Sequence, residues 1–218
     1  DLFSSMNAIE EEVILARDYD RAQNVMHEAN ANTLSPTYGR PGMNKKIVNS
    51  YLMTNGDRFT DQPGYETMQY YDEMQNRDPR LTQTVVGPGY MRINSTTVSS
   101  PNFGASTTGY QITKWVTDAS GDGYMGSSND YILFRAAEVY LNYAEAKYEL
   151  TGSLTIAELD KSINLIRDRV GMPHLTTNPD ADPNAVNYGY TVAPLLYEIR
   201  RERRIELVGE GFRFNDII

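Results

Sequence analysis

The sequence contains no cysteine and only two histidines, His27 and His174, among its 218 residues. Disulfides, thiolate nucleophiles and cysteine-based zinc sites are therefore excluded. The histidines do not stand in a metal-binding spacing such as His-Glu-x-x-His, and neither Gly-x-Ser-x-Gly nor Gly-x-x-x-x-Gly-Lys-Ser occurs. The chain thus lacks the short motifs by which metallohydrolases, serine hydrolases and many nucleotide-binding enzymes are recognised.

Long hydrophobic runs and an excess of positive charge are also lacking. No apolar stretch reaches the roughly 18 to 20 residues that a membrane-spanning helix needs, and no signal peptide is visible. Lysine and arginine total 20 against 29 aspartate and glutamate, which gives a net charge of -9. A field of that sign repels polyanions and anionic lipids, so nucleic acid and a membrane surface are not expected partners.

Composition divides the chain into two parts. Residues 1–130 are rich in Gly, Pro, Asn, Ser and Thr, which predicts a loop-rich part with a few short strands. Residues 131–218 carry apolar side chains at helical spacing and predict helices. Because the chain opens on Asp1 without methionine and stops at Ile218 without a polar tail, both ends are interpreted as cuts in a longer protein.

Apolar patterns predict particular elements in the loop-rich part. Residues 12–16 favour a buried strand over a short helix, and the alternation over 109–117 predicts another strand. The Gly-Pro-Gly sequence at 87–89 separates the apolar runs 81–86 and 90–93. Two such runs around a glycine-containing turn predict a β-hairpin.

Three helices are predicted in the second part. The first covers residues 131–150, and Thr155 with Glu158 forms a capping box that starts the second. Pro194 opens the third helix, which stops at Gly209. The first two helices resemble one unit of a helical repeat array, so neighbouring repeats are expected.

Two glutamates on the first predicted helix are the candidate catalytic pair. Glu138 and Glu145 are seven residues apart, or roughly 10 Å along a helix axis, near the spacing of about 6.5 to 9.5 Å found in inverting glycosidases. Both lie among apolar residues, however, and buried carboxylates need cationic partners, which the arginine-rich third helix offers. We therefore predict structural ion pairs rather than catalysis, and assign them to Glu138, Glu145, Arg167, Arg203, Arg204, Glu206 and Arg213.

An acidic loop offers a second possible chemistry. Residues 118–123 place oxygen-bearing side chains at the first, third and fifth positions and glycine at the sixth, as in a calcium-binding EF-hand loop. The twelfth position is Asn129 instead of glutamate, and the preceding segment predicts a strand. A calcium ion at Asp118 and Asp122 is thus an alternative to a plain acidic loop, and no other metal or cofactor is expected.

Tyrosine is unusually frequent, with 16 Tyr against 6 Phe. A tyrosine in a polar loop offers a flat apolar face with a hydroxyl at its edge, which suits stacking on a sugar ring. The single tryptophan lies in a predicted strand, where core packing and ligand contact are both open. The predicted ligand-contact residues are Tyr65, Tyr70, Tyr71, Tyr90, Tyr124 and Trp115.

Several motifs, in order along the chain, resemble those of the SusD/RagB family. Residues 135–146 read RAAEVYLNYAEA, similar to the family's RyAEvyLnyAEA helix, and residues 163–173 read INLIRDRVGMP, similar to iNqIRdRaGmp. Residues 199–213 contain IRRERRIEL and then EGFR, similar to IrrERriELafEGhRf. Upstream, RDPRL at 77–81 and the stretch 49–56 also fit, so the resemblance covers nearly the whole chain.

The resemblance implies a mainly α fold. It consists of an α-α superhelix of TPR-like helices together with an irregular, loop-rich part that contains a few short β-strands. The N-terminal TPR-like helices are expected to be missing from this chain. The family's motifs are mostly structural and its ligand contacts come from variable loops, so no binding residue is carried over by motif.

The resemblance also implies a function without catalysis. Such proteins are outer-membrane lipoproteins exposed at the cell surface, where they bind an oligosaccharide or other glycan beside a SusC-like TonB-dependent transporter in a nutrient-uptake system. Membrane attachment would then be through a lipid anchor absent from this chain. Two alternatives stay open: a scaffold that docks on the transporter without binding sugar, and a helical glycosidase that uses Glu138 and Glu145.

Overall fold

The computed structural model describes residues 2–216, so the terminal residues Asp1, Ile217 and Ile218, interpreted above as cut ends, lie outside it. The described residues are mainly helical with a few short strands, which confirms the predicted fold class. They divide into two compact units, each discontinuous in sequence. The loop-rich unit comprises residues up to 48, 69–75 and 81–135, and the helical unit comprises 49–68, 76–80 and the residues from 136 onward.

Short elements separated by turns make up most of the first 135 residues, and longer helices follow. In chain order the strands and α-helices are β1 (Val13–Arg17), α1 (Ala29–Leu34), β2 (Gly42–Met43), α2 (Lys45–Ser50), α3 (Tyr70–Glu73), α4 (Pro79–Thr84), β3 (Tyr110–Gln111), β4 (Tyr131–Arg135), α5 (Ala136–Thr151), α6 (Ile156–Asp160), α7 (Ile163–Arg169) and α8 (Pro194–Glu206).

A two-stranded antiparallel ribbon of β1 and β4 belongs to the loop-rich unit. The predicted strand at 12–16 is confirmed as a strand, but its predicted burial is wrong, because Ile14 and Leu15 are 58% and 55% exposed. The predicted first helix is wrong over residues 131–135, which pair with β1 instead. Aromatic and β-branched side chains in that segment favour a strand, and the helix itself starts only at Ala136.

The hairpin predicted between residues 81 and 93 is wrong. The Asp78 carboxylate accepts a hydrogen bond from the backbone N–H of Arg80 at 3.0 Å, so it caps the N-terminus of α4. The first apolar run of the supposed hairpin is therefore largely helical. After the helix, the N–H of Val86 donates to the carbonyl of Gln111 at 2.9 Å, so this segment pairs with β3.

The strand predicted over residues 109–117 is confirmed only for β3, which pairs with β2. Trp115 has φ 74, a left-handed conformation that ends an extended segment. Thr108 packs so closely against Gly42 of β2 that a larger residue does not fit there. A Cβ at position 42 would lie 2.2 Å from the hydroxyl oxygen of Thr108.

Helices α5 to α8 build the core of the helical unit. The predicted capping box is confirmed, because the Thr155 hydroxyl accepts from the N–H of Glu158 while the Glu158 carboxylate accepts from the N–H of Thr155. Ser162, with φ -139 and ψ -100, divides the second predicted helix into α6 and α7. The buried core consists of Ala137, Leu141, Ala144, Leu154, Leu159, Ile163, Ile166, Leu175, Leu195, Ile199 and Leu207.

The third predicted helix is confirmed as α8, with Pro194 at its start and Gly209 just beyond its end. Within residues 2–216, none of the helices has both the length and the apolar character needed to cross a membrane.

Candidate functional site

A buried ion-pair network surrounds the carboxylate of Glu202 in the helical unit. Glu202 is fully buried and lies 2.7 Å from Arg80, 2.9 Å from Arg167 and 3.9 Å from Arg201. Burial alone would raise the pKa of Glu202, but the charges of these arginines outweigh it and lower the pKa to about 2. Glu202 therefore stays ionised at neutral pH. Because its carboxylate is surrounded by these arginines, Glu202 has a structural role.

The network extends from Arg80 to further carboxylates. Arg80 lies 2.6 Å from Asp78 and 3.0 Å from Glu206, and Glu206 also contacts Arg169 at 2.7 Å. Burial acts to lower the pKa of Arg80, but Glu202 and Asp78 outweigh it, so the pKa rises. Arg167 and Glu206, both predicted as ion-pair residues, thus lie in one charge-compensated network.

The candidate catalytic pair lies on α5. The Glu145 carboxylate accepts a hydrogen bond from Arg200 at 2.7 Å, and Arg200 also bonds Glu149 at 3.0 Å. Glu138, half-buried in the first turn of α5, takes part in an interaction as well. The hydrogen bond from Arg200 makes Glu145 part of an ion pair, which is the structural role predicted for it.

The other predicted ion-pair residues behave differently from one another. Arg203 donates to the Asp216 carboxylate at 2.9 Å. For Arg204 and Arg213, no carboxylate partner lies within residues 2–216. The two arginines lie close enough for the charge of Arg213 to act on Arg204. Carboxylates on the buried face of α8 serve the arginines of the network instead.

Trp115 has the environment of a core residue. Its ring is buried and stacks on Tyr131 at a centroid distance of 4.5 Å, with Phe3 edge-on at 4.8 Å. The ligand contact predicted for Trp115 remains a prediction, and the packing of its ring speaks for the structural alternative.

Tyr70 is half-buried and held in place by its hydroxyl, which donates to the carbonyl of Val86. Burial, and then the charge of Glu73, raise the pKa of Tyr70 to about 12. The centroid of the Tyr110 ring lies 5.8 Å from that of Tyr70. The Tyr110 hydroxyl donates a hydrogen bond to the Glu73 carboxylate at 2.8 Å. Both rings therefore belong to a fixed cluster.

The remaining predicted tyrosines differ in exposure. Tyr65, in the helical unit, is half-buried and lies edge-on to Phe59 at 5.9 Å. In the loop-rich unit Tyr90 is half-buried, Tyr71 is exposed, and Tyr124 is 80% exposed. Tyr124 thus offers the freest ring among the predicted ligand-contact residues.

Arg92 joins two loops of the loop-rich unit, residues 90–95 and 117–124, which we call the Arg92 loops. Its guanidinium donates to the Thr117 carbonyl at 2.7 Å, the Asp118 carbonyl at 2.6 Å and the Asp122 carboxylate at 2.8 Å. One arginine therefore holds the loop that begins with Tyr90 against the loop that ends with Tyr124.

A buried asparagine supports the second of these loops, residues 117–124. Asn30 of α1 is fully buried and donates to the Thr117 hydroxyl and to the Asp118 carbonyl, both at 3.0 Å. Its own carbonyl oxygen accepts from the N–H of Thr117 at 3.0 Å. Gly121 must be glycine here, since a Cβ would lie 2.6 Å from the amide nitrogen of Asn30.

The carboxylates of the Arg92 loops are already engaged. Hydrogen bonds from Ser120, and then from Asn94, lower the pKa of Asp118, while Asp122 faces the Arg92 cation. Within residues 2–216, no group of three or more histidine or carboxylate side chains could hold a metal ion. A cation in the donor set also opposes a second cation, so calcium at Asp118 and Asp122 stays only a sequence-based prediction.

The Arg92 loops thus combine an exposed aromatic ring with fixed polar groups. Tyr124 provides a flat apolar face, and the ionised Asp118 and the Asn94 amide provide hydrogen-bonding edges. Such a combination can hold a sugar by stacking on its ring and by bonding its hydroxyl groups.

Comparison with known proteins decides the family. The SusD family model matches residues 11–218. The chain belongs to the SusD family. No curated protein matches it.

Solved SusD-like structures share the fold. A SusD-like carbohydrate binding protein from Bacteroides fragilis NCTC 9343 is 28% identical, with a TM-score of 0.68 over 94% of this chain and 41% of that chain. A SusD-like protein from the same organism is 26% identical, with a TM-score of 0.59 over 94% of this chain and 42% of that chain. A SusD-like carbohydrate binding protein from Bacteroides vulgatus ATCC 8482, 17% identical with a TM-score of 0.51 over 100% and 36%, supports the fold alone. The chain therefore spans about two fifths of the length of the first two structures.

In this SusD-family chain, sequence reasoning located the charged helical motifs but missed the residues that organise the loops. Asn30 and Arg92 were not among the predicted site residues. Each is a single polar residue in a polar segment, and its partners lie far away along the chain. A local pattern gives no signal for such contacts.

Proposed function

We propose that this chain is part of a glycan-binding subunit that captures oligosaccharides at the cell surface for uptake. SusD-family membership supports the proposal, as does the 28% identical structure described as a carbohydrate binding protein. Because the chain spans about two fifths of that structure, the activity of the whole protein is part of the proposal.

The observation that carries the proposal is the construction of the Arg92 loops. Capture without chemistry needs an exposed aromatic face beside polar groups that are already in position. Tyr124 has the exposed ring, and Arg92 together with Asn30 fixes the polar loop next to it. In this role the ring stacks on a sugar and the loop bonds its hydroxyl groups.

The uptake role includes a partner and a location. By resemblance to its family, the subunit acts as a surface-exposed outer-membrane lipoprotein and docks on a SusC-like TonB-dependent transporter. Its attachment to the membrane would be through a lipid anchor. We further propose that the protein is not an enzyme, because Glu145 of the candidate catalytic pair is held by Arg200.

A glycan array followed by calorimetry and a product assay tests this function. Saturable binding of an oligosaccharide that is recovered uncleaved is the expected result. Binding of a SusC-like transporter with no glycan bound would favour the scaffold alternative. Release of reducing ends, abolished in Glu138→Gln, would favour the glycosidase alternative.

Replacing Tyr124 with alanine is expected to weaken binding of the array's best oligosaccharide by about fivefold, because an aromatic stacking contact is worth about 1 kcal/mol. Thermal stability should be unchanged, since the ring is exposed. The matched control is Tyr38→Ala, which removes another exposed tyrosine outside the Arg92 loops. Equal affinities for the wild type and Tyr124→Ala would show that the ligand binds elsewhere.

A further inference from the structure

One face of α8 presents arginine and tyrosine together. Tyr197, Arg200 and Arg204 follow one another at steps of three and four residues, so they lie on the same side of the helix. The segment before α8 adds the rings of Tyr188 and Tyr190, whose centroids are 6.1 Å apart. We call this surface of the helical unit the Arg204 patch, and it consists of Tyr188, Tyr190, Tyr197, Arg200, Arg204 and Arg213.

The tyrosines of the patch are placed to contact a ligand. Tyr188 is exposed and Tyr190 is 64% exposed. Tyr188 and Tyr197 lie near Arg204, and Tyr190 lies near Arg200. Tyr197 also lies on the same face of α8 as Arg200 and Arg204, so a tyrosine and two guanidinium groups share that face.

The charge of Arg204 is not compensated within the part of the chain that the structure describes. Its Nε atom is enclosed and has no hydrogen-bond partner among residues 2–216. Neighbouring arginines of α8 do have carboxylates, for example Arg201 with Glu198 at 2.6 Å and Arg200 with Glu145 at 2.7 Å. Burial, and then the charge of Arg213, lower the pKa of Arg204.

An unpartnered guanidinium is notable in a chain whose net charge is -9. Carboxylates are plentiful, yet none within residues 2–216 pairs with Arg204 or Arg213. A half-buried cation beside a second cation loses free energy that a bound anion would restore. The patch therefore has the electrostatic character of an anion-binding site.

We propose that the Arg204 patch binds the carboxylate of an acidic sugar, such as a uronic acid residue within an oligosaccharide. A carboxylate offers two oxygens in one plane, which matches the fork of a guanidinium, and the exposed tyrosine rings can stack on the sugar that bears it. The inference rests on the proposed glycan-binding function and narrows it to glycans that contain uronic acid. A sulfated sugar shares the negative charge but lacks the planar pair of oxygens.

The first test measures stability. Arg204→Met is expected to leave the melting temperature unchanged or to raise it, because the variant removes a desolvated cation that lies beside Arg213. Lys161→Gln, which removes an exposed positive charge elsewhere in the helical unit, is the matched control. A fall of several degrees in Arg204→Met alone would mean that Arg204 has a structural partner, and would overturn the proposal.

The second test measures binding by calorimetry with pairs of oligosaccharides. Each pair contains a glucuronic acid oligosaccharide and the same compound after chemical reduction of its carboxylate. An oligosaccharide that carries sulfate esters and no carboxylate is the third probe. The wild type should prefer the acidic form by about tenfold or more, since a charge-assisted hydrogen bond is worth at least that factor. Arg204→Gln should remove the preference and keep the affinity for the reduced form, whereas Lys161→Gln should keep the preference.

The outcomes separate this proposal from the broader function. Binding of both forms with equal affinity, or a preference for the sulfated probe, would overturn the acidic-sugar site and leave glycan binding intact. If no oligosaccharide binds, the broader function fails, and NMR of the Arg204 Nε–H group during titration with sodium glucuronate decides the site. A shift with glucuronate and not with glucose supports the site, and no shift overturns it.

Discussion

Replacing Glu202 with glutamine is expected to lower the free energy of unfolding by about 3 to 5 kcal/mol, which is the usual effect of removing one partner from a buried ion pair. Glu202 is fully buried and lies within 4 Å of the guanidinium groups of Arg80, Arg167 and Arg201. Glutamine keeps the shape but not the charge, so these cations stay desolvated with less compensation. Urea denaturation followed by circular dichroism measures the loss.

The control for this variant is Glu149→Gln, which removes the carboxylate of an exposed ion pair with Arg200. Exposed pairs contribute at most about 1 kcal/mol, so the control should stay close to the wild type. If both variants lost the same stability, burial would not be the reason for the effect, and the network around Glu202 would not support the fold.

The pH dependence of the free energy of unfolding, compared between the wild type and Glu202→Gln, provides a second measurement. The pKa of Glu202 is lowered from its ordinary value of 4.5 to about 2 in the folded chain. A group whose pKa is lowered by folding contributes its full stabilisation when the pH is above its ordinary pKa. For Glu202 this stabilisation is lost as the pH falls from about 4.5 toward 2. The stability difference between wild type and Glu202→Gln should therefore shrink by about 3 kcal/mol across that window, since each pKa unit is worth about 1.4 kcal/mol.

Sequence patterns predicted the helical part well where the causes were local. The capping box at Thr155 and the proline at the start of α8 act within a few residues, so the sequence alone indicated them. The prediction of the first helix failed over residues 131–135, because these residues pair with β1, which lies more than 100 positions away along the chain. Helical spacing continues through this segment, but a distant strand decides its conformation.

The loop-rich part shows the same limit more strongly. An apolar run after Asp78 has the composition of a hairpin strand, yet the capped helix α4 takes up most of it. Trp115 could not be assigned from sequence to core or surface, and its left-handed backbone and the Tyr131 ring now define its surroundings. The sequence indicates which tyrosines stand in or beside polar segments, but their exposure depends on packing that no local pattern encodes.

The aromatic character of the candidate site could be predicted from the sequence, but the residues that hold its loops in place could not. Tyrosine abundance indicated aromatic contacts with sugar, and Tyr124 has the exposed ring which that idea needs. The residues that hold its loop are Asn30 and Arg92, whose partners lie 25 to 97 positions away along the chain. Their role follows from hydrogen-bond geometry, which exists only in the folded state.

Replacing Asn30 with alanine is expected to lower the free energy of unfolding by about 3 kcal/mol, because it removes hydrogen bonds from buried polar groups. The N–H and hydroxyl of buried Thr117 each lose a bond of 3.0 Å to Asn30, and the Asp118 carbonyl loses one of its two donors and keeps Arg92. Asn32→Ala is the matched control, since it is the same change at an exposed position of the same helix and should shift stability by no more than about 0.5 kcal/mol.

Hydrogen exchange separates a general loss of stability from a loosened loop. In Asn30→Ala the amides of residues 117–122 should exchange faster than global unfolding requires, because the loop loses the hydrogen bonds of Asn30 and keeps only those of other side chains such as Arg92 and Asn94. Oligosaccharide affinity should fall as well, since a mobile loop must be ordered on binding. Tyr124→Ala, in contrast, should lose affinity without any change in exchange. If exchange at 117–122 were the same in Asn30→Ala and Asn32→Ala, Asn30 would stabilise the fold without organising the Arg92 loops.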